Sequence, residues 1–390
     1  MPGDPLQPVL GGDVPFDATA GEIESRAEFD THHTKRSLAG LVVLGLRLDV
    51  DPPDFSGVDV RETLFLGCHM ASDEVEIDLT RRGAHVVPAF EHHPYPTHPA
   101  TLYTPEDLSF GFAEAGFAGM YDTVVYRHFV EHGGAVPDIR EAIAQRLHDA
   151  GIDNALGKAL TAWAATSPDR APVGIMGGHA EPRGSAAYRM AAELSWRLAG
   201  AGRLIVTGGG PGVMEAANLG AYFSQRTTSD LAEAIEALAA APDFHDHDPF
   251  TAAAIKVRDA YPAEKSLTNG GLALPTWLYG HEPANLFAGL IGKYFSNAVR
   301  EDSILRLSRG GIVFAPGWAG TVQEIFQAAT KTYYQTDGPS GAFVFLGVDH
   351  WSQLPVEALL RPLLARSPHG DQSGLVVVTD DLDEAMAALS

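Results

Sequence analysis

The sequence predicts an α/β protein: a doubly wound, Rossmann-like parallel sheet, preceded by a smaller N-terminal region of β structure and helices. From residue 172 onward, short and continuous apolar segments alternate with amphipathic helical segments. Strands of this kind are typical of a parallel sheet that is covered on both faces. Apolar residues make up 45% of the chain and charged residues 20%, which is an ordinary globular balance. The 390 residues are enough for two or three domains.

The expected elements follow one another regularly along the second part of the chain. Strands are predicted at 172–177, 203–208, 271–277, 310–316, 341–348 and 374–379. Helices are predicted at 185–199, 213–223, 231–240, 249–260, 283–308, 321–333, 355–364 and 382–389. Ligands of such sheets bind at the carboxyl ends of the strands. The turns that lead from strand to helix are therefore where functional residues are expected.

Residues 1–165 have a different pattern and are treated as a separate region of unknown role, with the Rossmann-like domain at 170–390. The sequence SPDRAP between them indicates a boundary. Residues 1–35 are rich in Gly, Pro and Asp and are expected to form a loose arm. Residues 106–165 are predicted to be mostly helical.

Apolar residues between positions 37 and 70 recur at intervals of five, as at Leu41 and Leu46 and again at Phe55, Val60, Phe65 and Met70. Two interpretations remain open. One is a few coils of a pentapeptide-type β-helix, and the other is an ordinary pair of β-hairpins, which is the commoner structure and the expectation here.

The charge balance and the single cysteine exclude several classes of function. Acidic residues number 50 and basic residues 27, so the formal charge is −23. That charge opposes binding to a nucleic acid polymer or an anionic membrane. Cys68 is alone, so the chain has no intrachain disulfide and no cysteine metal cluster, as expected of a cytoplasmic protein. The N-terminal residues show no signal peptide, and no apolar run reaches the ~20 residues of a membrane span.

Histidine is a common metal ligand, and several histidines lie close together in the sequence, but the segments that contain them are polar. The HDHD sequence at 245–248 and His92, His93 and His98 stand in segments that read as solvated loops. No metal site is predicted from them.

Three strand-to-helix turns carry the residues of interest: GGHAEPRGS at 177–185, TGGGPGVMEAAN at 207–218 and APGWAGTVQE at 315–324. Glycines permit close approach of the backbone to a ligand, and a helix N-terminus offers unpaired N–H groups. Together they predict a phosphate site that needs few cations. Val213 stands where a dinucleotide fingerprint needs its third glycine, and there is no GxxxxGK[ST] motif.

Each of these features also has a structural interpretation. Gly208–Gly210 could form only a tight turn, and Glu215 could be present because acids are favoured at helix starts. Thr321 and Glu324 fit a capping box. A segment with aromatic and polar residues follows the third strand and could either contact a base or plug the space between helices; it contains Trp277, Tyr279, His281, Glu282 and Asn285.

The combination of GGGPGVMEA, a helix with Arg300 and PGWAGTVQE resembles the LOG family, the cytokinin riboside 5′-monophosphate phosphoribohydrolases and related nucleotide nucleosidases. The resemblance covers roughly residues 170–380. The family pattern GGGxGxM is matched by Gly208, Gly209, Gly210, Gly212 and Met214, and PGGxGTxxE by Pro316, Gly317, Gly320, Thr321 and Glu324. The chain departs from the pattern in two places: Trp318 replaces a glycine, and Arg300 is followed by Glu301.

The resemblance implies a hydrolase that cleaves the N-glycosidic bond of a nucleoside 5′-monophosphate to free base and ribose 5-phosphate. It implies no cofactor and no metal, and it implies a homodimer. The catalytic residues would be Glu324 and Arg300. The substrate would be bound by Gly178, His179, Gly209, Gly210, Gly212, Met214, Glu215, Asn285, Gly317, Trp318, Gly320 and Thr321. The alternative is a nucleotide-sensing module of the same fold without turnover.

Overall fold

The computed structural model describes residues 21–90, 92–167, 170–279 and 282–390. The described residues form two compact units. The N-terminal unit combines residues 21–102 with Arg127–Ala162, and the Rossmann-like unit combines Tyr103–Tyr126 with Trp163–Ser390.

The N-terminal unit is built on a four-stranded parallel sheet with the strand order β1-β2-β3-β4. Its first elements are β1 (Glu22–Ile23), α1 (Arg26–Thr34), β2 (Val42–Leu44), β3 (Leu64–Cys68), α2 (Asp73–Arg81) and β4 (His85–Pro88). The prediction of a loose arm at 1–35 is therefore wrong for residues 22–34, which contain β1 and α1. The first 20 residues of the predicted arm lie outside the described ones. The helical prediction for 106–165 is confirmed by α3 (Pro105–Ser109), α4 (Phe112–Ala115), α5 (Tyr121–Glu131) and α6 (Ile139–Thr166).

The β-hairpins expected between residues 37 and 70 are wrong, because the strands there pair in parallel. Leu64 faces Val42 in this sheet, and parallel bridges join Ser37 to Asp59 and Arg47 to His69. The facing residues lie 22 positions apart and the successive pairs five positions apart, as in coils of a β-helix. Residues at this five-residue interval fill the interior, and all are buried: Leu38, Val43 and Leu48 in one coil and Phe55, Val60 and Phe65 in the next.

The Rossmann-like unit has a seven-stranded parallel sheet, which confirms the predicted fold class. Its strands are β5 (Val173–Met176), β6 (Ile205–Thr207), β7 (Leu272–Ala273), β8 (Leu290–Ile291), β9 (Ile312–Phe314), β10 (Phe343–Leu346) and β11 (Val376–Thr379). All residues of β5, β9 and β10 are buried, so helices cover both faces of the sheet. The helices are α7 (Ala186–Gly200), α8 (Val213–Tyr222), α9 (Thr228–Ala239), α10 (His247–Ala260), α11 (Asn297–Leu307), α12 (Ala319–Tyr334), α13 (Val348–Gln353), α14 (Val356–Leu364) and α15 (Leu382–Ala388). Among the helices described, none is both long enough and apolar enough to cross a bilayer.

The helix predicted at 283–308 is wrong in its first half. Strand β8 occupies part of that segment, and α11 begins only at Asn297, where the Ser296 hydroxyl accepts a hydrogen bond from the Val299 N–H. A Cβ at Gly289 would lie 1.9 Å from the Ser266 carbonyl oxygen. The close backbone approach that glycine permits is thus used for strand packing here.

Residues 103–126 belong with the seven-stranded sheet, so the chain passes between the units more than once. One boundary, between Ala162 and Trp163, lies close to the one expected near residue 165, and the other two flank Tyr103–Tyr126. Tyr103 forms an antiparallel bridge with Ile291. The fully buried Asp122 carboxylate accepts hydrogen bonds from Trp277 Nε1 at 2.8 Å and Lys293 Nζ at 2.8 Å. Trp277, one of the possible base contacts, is therefore part of the interior.

The strand order β11-β10-β9-β5-β6-β7-β8 places β5 at the point where the chain reverses its direction of sheet growth. The chain adds β6, β7 and β8 on one side of β5 and then returns to add β9 on the other. Ligand sites of open α/β sheets lie at this reversal, beyond the carboxyl ends of the strands. The turns after β5, β6 and β9 meet there.

Replacing Asp122 with alanine should lower the free energy of unfolding by about 3–5 kcal/mol, because it leaves the Lys293 ammonium buried without a countercharge. Chemical denaturation followed by tryptophan fluorescence measures this, with the exposed Glu114→Ala as the control, expected to change stability by less than about 0.5 kcal/mol. Equal effects of the two substitutions would contradict the role given to Asp122.

Candidate functional site

The three turns identified in the sequence lie together at the carboxyl ends of β5, β6 and β9. The Gly178 N–H donates a hydrogen bond to the Pro316 carbonyl oxygen at 2.8 Å, which joins the first turn to the third. The Val213 N–H donates to the Gly178 carbonyl oxygen at 3.2 Å, which joins the second turn to the first. One continuous backbone surface results.

Two of the predicted glycines are required by this close approach. Gly212 has a φ of +68°, and a Cβ there would lie 2.4 Å from the Gly178 carbonyl oxygen. At Gly317 a Cβ would lie 2.2 Å from Thr321 Oγ1. A Cβ at Gly320, in contrast, meets no atom within 4 Å. The third turn is therefore tight at its start and open where α12 begins.

A network of buried hydrogen bonds stabilises the second turn from the interior of the protein. The Gly209 N–H donates to Thr207 Oγ1 at 3.0 Å, and this hydroxyl donates to Asn218 Oδ1 at 2.7 Å. Asn285 Nδ2 donates to the same oxygen at 2.9 Å, and Asn285 is 3% exposed. Asn285, predicted to contact substrate, thus supports the second turn from within.

The alternative interpretation of Thr321 and Glu324 as a capping box is wrong. Helix α12 begins at Ala319 with Trp318 as its N-cap residue, and no side chain caps it. Thr321 is the third residue of the helix and is buried beside Gly317. Glu324 therefore has no capping role, and the first turn of α12 retains unpaired backbone N–H groups.

Trp318 does not need the positive φ that favours glycine. Its φ is −114° and its ψ is −136°. The side chain is 72% exposed and packs edge-on against the His350 ring, with centroids 5.4 Å apart. The substitution at this point of the family pattern adds an aromatic surface beside the third turn.

Arg300 and Glu324, the predicted catalytic pair, lie together beneath the second turn. Arg300 Nη1 is 3.9 Å from Glu324 Oε1, and Nη2 is 3.8 Å from Glu301 Oε1. Arg300 Nε donates to Asn297 Oδ1 at 2.7 Å, which fixes the plane of the guanidinium. A Cβ at Gly208 would lie 3.2 Å from Nη1. The carboxylates are too distant for hydrogen bonds. With respect to the residues that the structure describes, both Nη groups therefore keep N–H donors that a ligand could use.

The protonation of Glu324 is set by its surroundings. Burial raises the pKa of Glu324 to about 7, the Arg300 charge opposes that rise and the Glu301 charge adds to it. The Glu324 side chain is 13% exposed and that of Arg300 is 10% exposed. A carboxyl group with a pKa near neutrality can both accept and donate a proton at physiological pH.

Glu215, predicted to bind substrate, lies in a structural ion pair. Arg183 donates to both of its carboxylate oxygens, at 2.6 and 2.8 Å, and the Tyr188 hydroxyl donates to Oε2 at 3.0 Å. The side chains of the pair are 1% and 2% exposed. Both oxygens of Glu215 are thus occupied inside the protein.

Three side chains lie on the accessible side of the second turn: that of Met214 from the turn itself, that of His179 from the first turn, and that of Glu282 from the segment after β7. His179 Nδ1 lies 4.0 Å from Glu282 Oε1, and the two side chains are 58% and 33% exposed. Glu282 Oε2 lies 2.8 Å from the position of a Cβ at Gly210, and the Met214 sulfur 2.9 Å from one at Gly208. His281 lies outside the described residues.

The segment that follows β7 therefore contains both buried structural residues and residues that a ligand could reach. Trp277 and Asn285 are buried and structural, whereas Tyr279 is 63% exposed and its hydroxyl accepts a hydrogen bond from Asn297 Nδ2 at 2.7 Å. Asn297 thus connects Tyr279 to Arg300.

Three residues of the site were missed in the sequence: Asn297, Glu301 and His350. His350 Nε2 lies 3.3 Å from the Gly317 nitrogen and 3.0 Å from the Gly317 carbonyl oxygen. It also lines a cleft of about 270 Å³ together with Pro316 and Asp380. His350 follows β10, and the rule that ligands bind beyond strand ends could have identified it. Asn297 and Glu301 lie on α11, which precedes its strand and carries no such signal.

Comparison with known proteins gives one match to a family model. Residues 170–228 match the SLOG cluster4 family. That stretch contains β5, the first turn, β6, the second turn and α8. None of the curated proteins compared with the chain matches it.

Three of the solved structures that resemble the chain are of molybdenum cofactor proteins. The molybdenum cofactor carrier protein of Chlamydomonas reinhardtii is 20% identical, over 56% of this chain and 96% of that chain, with a TM-score of 0.34. A second structure of that carrier is 21% identical, over 56% and 96%, with a TM-score of 0.33. The molybdenum cofactor binding protein of Rippkaea orientalis is 18% identical, over 56% and 95%, with a TM-score of 0.33. At these TM-scores the resemblance supports no conclusion about a ligand.

Proposed function

We propose that the chain is a LOG-type hydrolase that cleaves the N-glycosidic bond of a nucleoside 5′-monophosphate, giving a free base and ribose 5-phosphate. The observation that carries the proposal is the Arg300–Glu324 pair. It is buried beneath a glycine turn at the reversal point of the sheet, its two side chains are 3.9 Å apart, and the pKa of Glu324 is about 7.

In this proposal the phosphate binds at the start of α12. The first turn of that helix has unpaired N–H groups and the positive end of the helix dipole. Gly320 borders open space, so a phosphate can approach the backbone there. Backbone binding suits a chain with a charge of −23, since it needs no cluster of lysines.

Glu324 acts at the ribose in the proposed reaction. Departure of the base leaves positive charge at C1′, and an ionised carboxylate close to that carbon stabilises it. One water balances the reaction: its oxygen bonds to C1′ as the bond from C1′ to the base breaks, and its proton is taken up by Glu324 and passes to the leaving base. Arg300 neutralises the negative charge of the ionised Glu324 carboxylate. The hydrogen bond to Asn297 keeps the guanidinium in place.

The base is expected beside the second turn, where His179, Tyr279 and Glu282 are accessible. An aromatic ring can stack on a base, and a carboxylate can accept hydrogen bonds from its edge. These residue types distinguish no single base, so purine and pyrimidine monophosphates are both substrates to test.

Replacing Glu324 with glutamine should leave the protein folded and able to bind a nucleoside monophosphate, but slow base release at least about a hundredfold. Glutamine is neutral and can neither stabilise the cation nor accept the proton. The assay follows free base from AMP, GMP, CMP and UMP, with the exposed Glu264→Gln as a matched control that keeps the normal rate.

Near-normal release of base by Glu324→Gln would remove this residue from the mechanism. If the unaltered chain binds a monophosphate but releases no base, the nucleotide-sensing alternative replaces hydrolysis.

The raised pKa of Glu324 also predicts how stability depends on pH. Its proton is held more tightly in the folded protein than at the ordinary pKa of 4.5, so the free energy of unfolding falls as the pH rises from about 4.5 to about 7. Glu324→Gln lacks this loss. Relative to the unaltered chain, it should gain roughly 3 kcal/mol over that range, measured by urea denaturation at several pH values. The gain should be absent in Glu264→Gln, and a constant difference across the range would show that the pKa is not raised.

A negative charge at position 320 should compete with the phosphate. Gly320→Asp is expected to weaken binding of AMP at least about tenfold, equal to about 1.4 kcal/mol, and by more than Gly320→Ala, because the alanine Cβ meets no protein atom within 4 Å and brings no charge. Calorimetric titration of both variants with AMP and adenosine measures this. Adenosine should bind far more weakly than AMP to the unaltered chain. Equal affinities for the two ligands would contradict phosphate recognition at α12.

A further inference from the structure

A cluster of histidines and a glutamate lies within the N-terminal unit, formed by His93, His128 and Glu141. Their side chains are 10%, 16% and 4% exposed. The expectation that His93 and His98 are solvated is therefore wrong. The His93 ring packs against the Tyr95 ring, with centroids 5.2 Å apart, and burial lowers the pKa of His98 to about 4.

Both imidazoles of this cluster converge on one carboxylate oxygen. Nε2 of His93 lies 3.0 Å and Nε2 of His128 3.2 Å from Glu141 Oε2. Two ligands that each bind one zinc ion at 2.0–2.1 Å in tetrahedral geometry lie roughly 3.3 Å apart. Both nitrogen–oxygen distances are close to this value, and all three atoms lie within 4.8 Å of one another.

The other oxygen of the carboxylate is fixed by neighbouring donors. Glu141 Oε1 accepts hydrogen bonds from the Tyr95 hydroxyl at 2.8 Å and from Gln145 Nε2 at 3.1 Å. Such partners orient a ligating carboxylate and leave its second oxygen for the metal. Burial raises the pKa of Glu141, but the hydrogen bonds from Tyr95, Gln145 and His128 outweigh burial and hold it below its ordinary value.

We propose that His93, His128 and Glu141 bind one divalent transition-metal ion through the two Nε2 atoms and Oε2. Two imidazoles and one carboxylate suit Zn²⁺ and its neighbours in the first transition row, and they suit the oxygen-seeking Mg²⁺ and Ca²⁺ poorly. Three protein ligands leave at least one coordination position for water or a small ligand. The site shares no residue with the proposed nucleotide site, and the two proposals stand or fall separately.

The test uses the full-length chain without an affinity tag, freed of metal by dialysis against a chelator. Titration with Zn²⁺ in competition with a chromophoric chelator should show one tightly bound ion per chain. His93→Gln and His128→Gln should each weaken binding at least about a hundredfold, since each removes a ligand, and the loss of even an orienting partner costs 10–100-fold. The matched control is His245→Gln, at a histidine whose side chain is 73% exposed, and it should bind like the unaltered chain.

Circular dichroism establishes that each variant is folded. If either ligand variant unfolds, Tyr95→Phe replaces it, because this change removes only the hydroxyl that orients Glu141 and should weaken Zn²⁺ binding about 10–100-fold. Co²⁺ should give the visible absorption of a tetrahedral or five-coordinate site in the unaltered chain and lose it in the variants. The proposal is overturned if the unaltered chain binds no stoichiometric Zn²⁺, or if the folded variants bind it as tightly as the control.

Discussion

The candidate nucleotide site depends on one constraint of chain topology, the position of β5 between β6 and β9. Neighbouring strands of a sheet are about 4.8 Å apart, so the turns that follow these three strands must meet. The hydrogen bond from the Gly178 N–H to the Pro316 carbonyl oxygen is a direct consequence. So is the meeting of Arg300 from α11, which precedes β9, with Glu324 from α12, which follows it.

Within the described part of the Rossmann-like unit, the buried pairs Arg183–Glu215 and Arg300–Glu324 differ in geometry. Arg183 and Glu215 are joined by hydrogen bonds of 2.6 and 2.8 Å, and the Tyr188 hydroxyl completes the set. Such a pair is satisfied and has nothing left to offer a ligand. Arg300 and Glu324 are 3.9 Å apart, and Glu301 adds a second carboxylate beside the same guanidinium. Burial of the Glu324 carboxyl group is the main physical reason that its pKa is raised; the Arg300 charge opposes the rise, and the Glu301 charge adds to it.

Much of the fold could be predicted because apolar strands and amphipathic helices carry local signals. All six expected strands of the Rossmann-like unit are present, and the three turns lie at strand ends as expected. The failures occurred where partners distant in the chain decide the structure. Strand β8 contains only Leu290 and Ile291 and exists because it pairs with β7. The five-residue apolar interval in the N-terminal unit fitted both coils and hairpins, and the parallel pairing of Val42 with Leu64 decides for coils.

The sequence by itself determined that this is an α/β chain with a parallel sheet and three glycine turns at strand ends, since periodicity and turn chemistry are local properties. It also predicted Arg300 and Glu324 as catalytic candidates through their motifs, and the structure places these two side chains 3.9 Å apart. It could not determine that Glu215, also a glutamate near the start of a helix after a glycine turn, is a structural residue. Nor could it determine that His93 is buried against Glu141. Only the tertiary structure decided these points, because burial and charge partners are set by residues that lie far apart in the sequence.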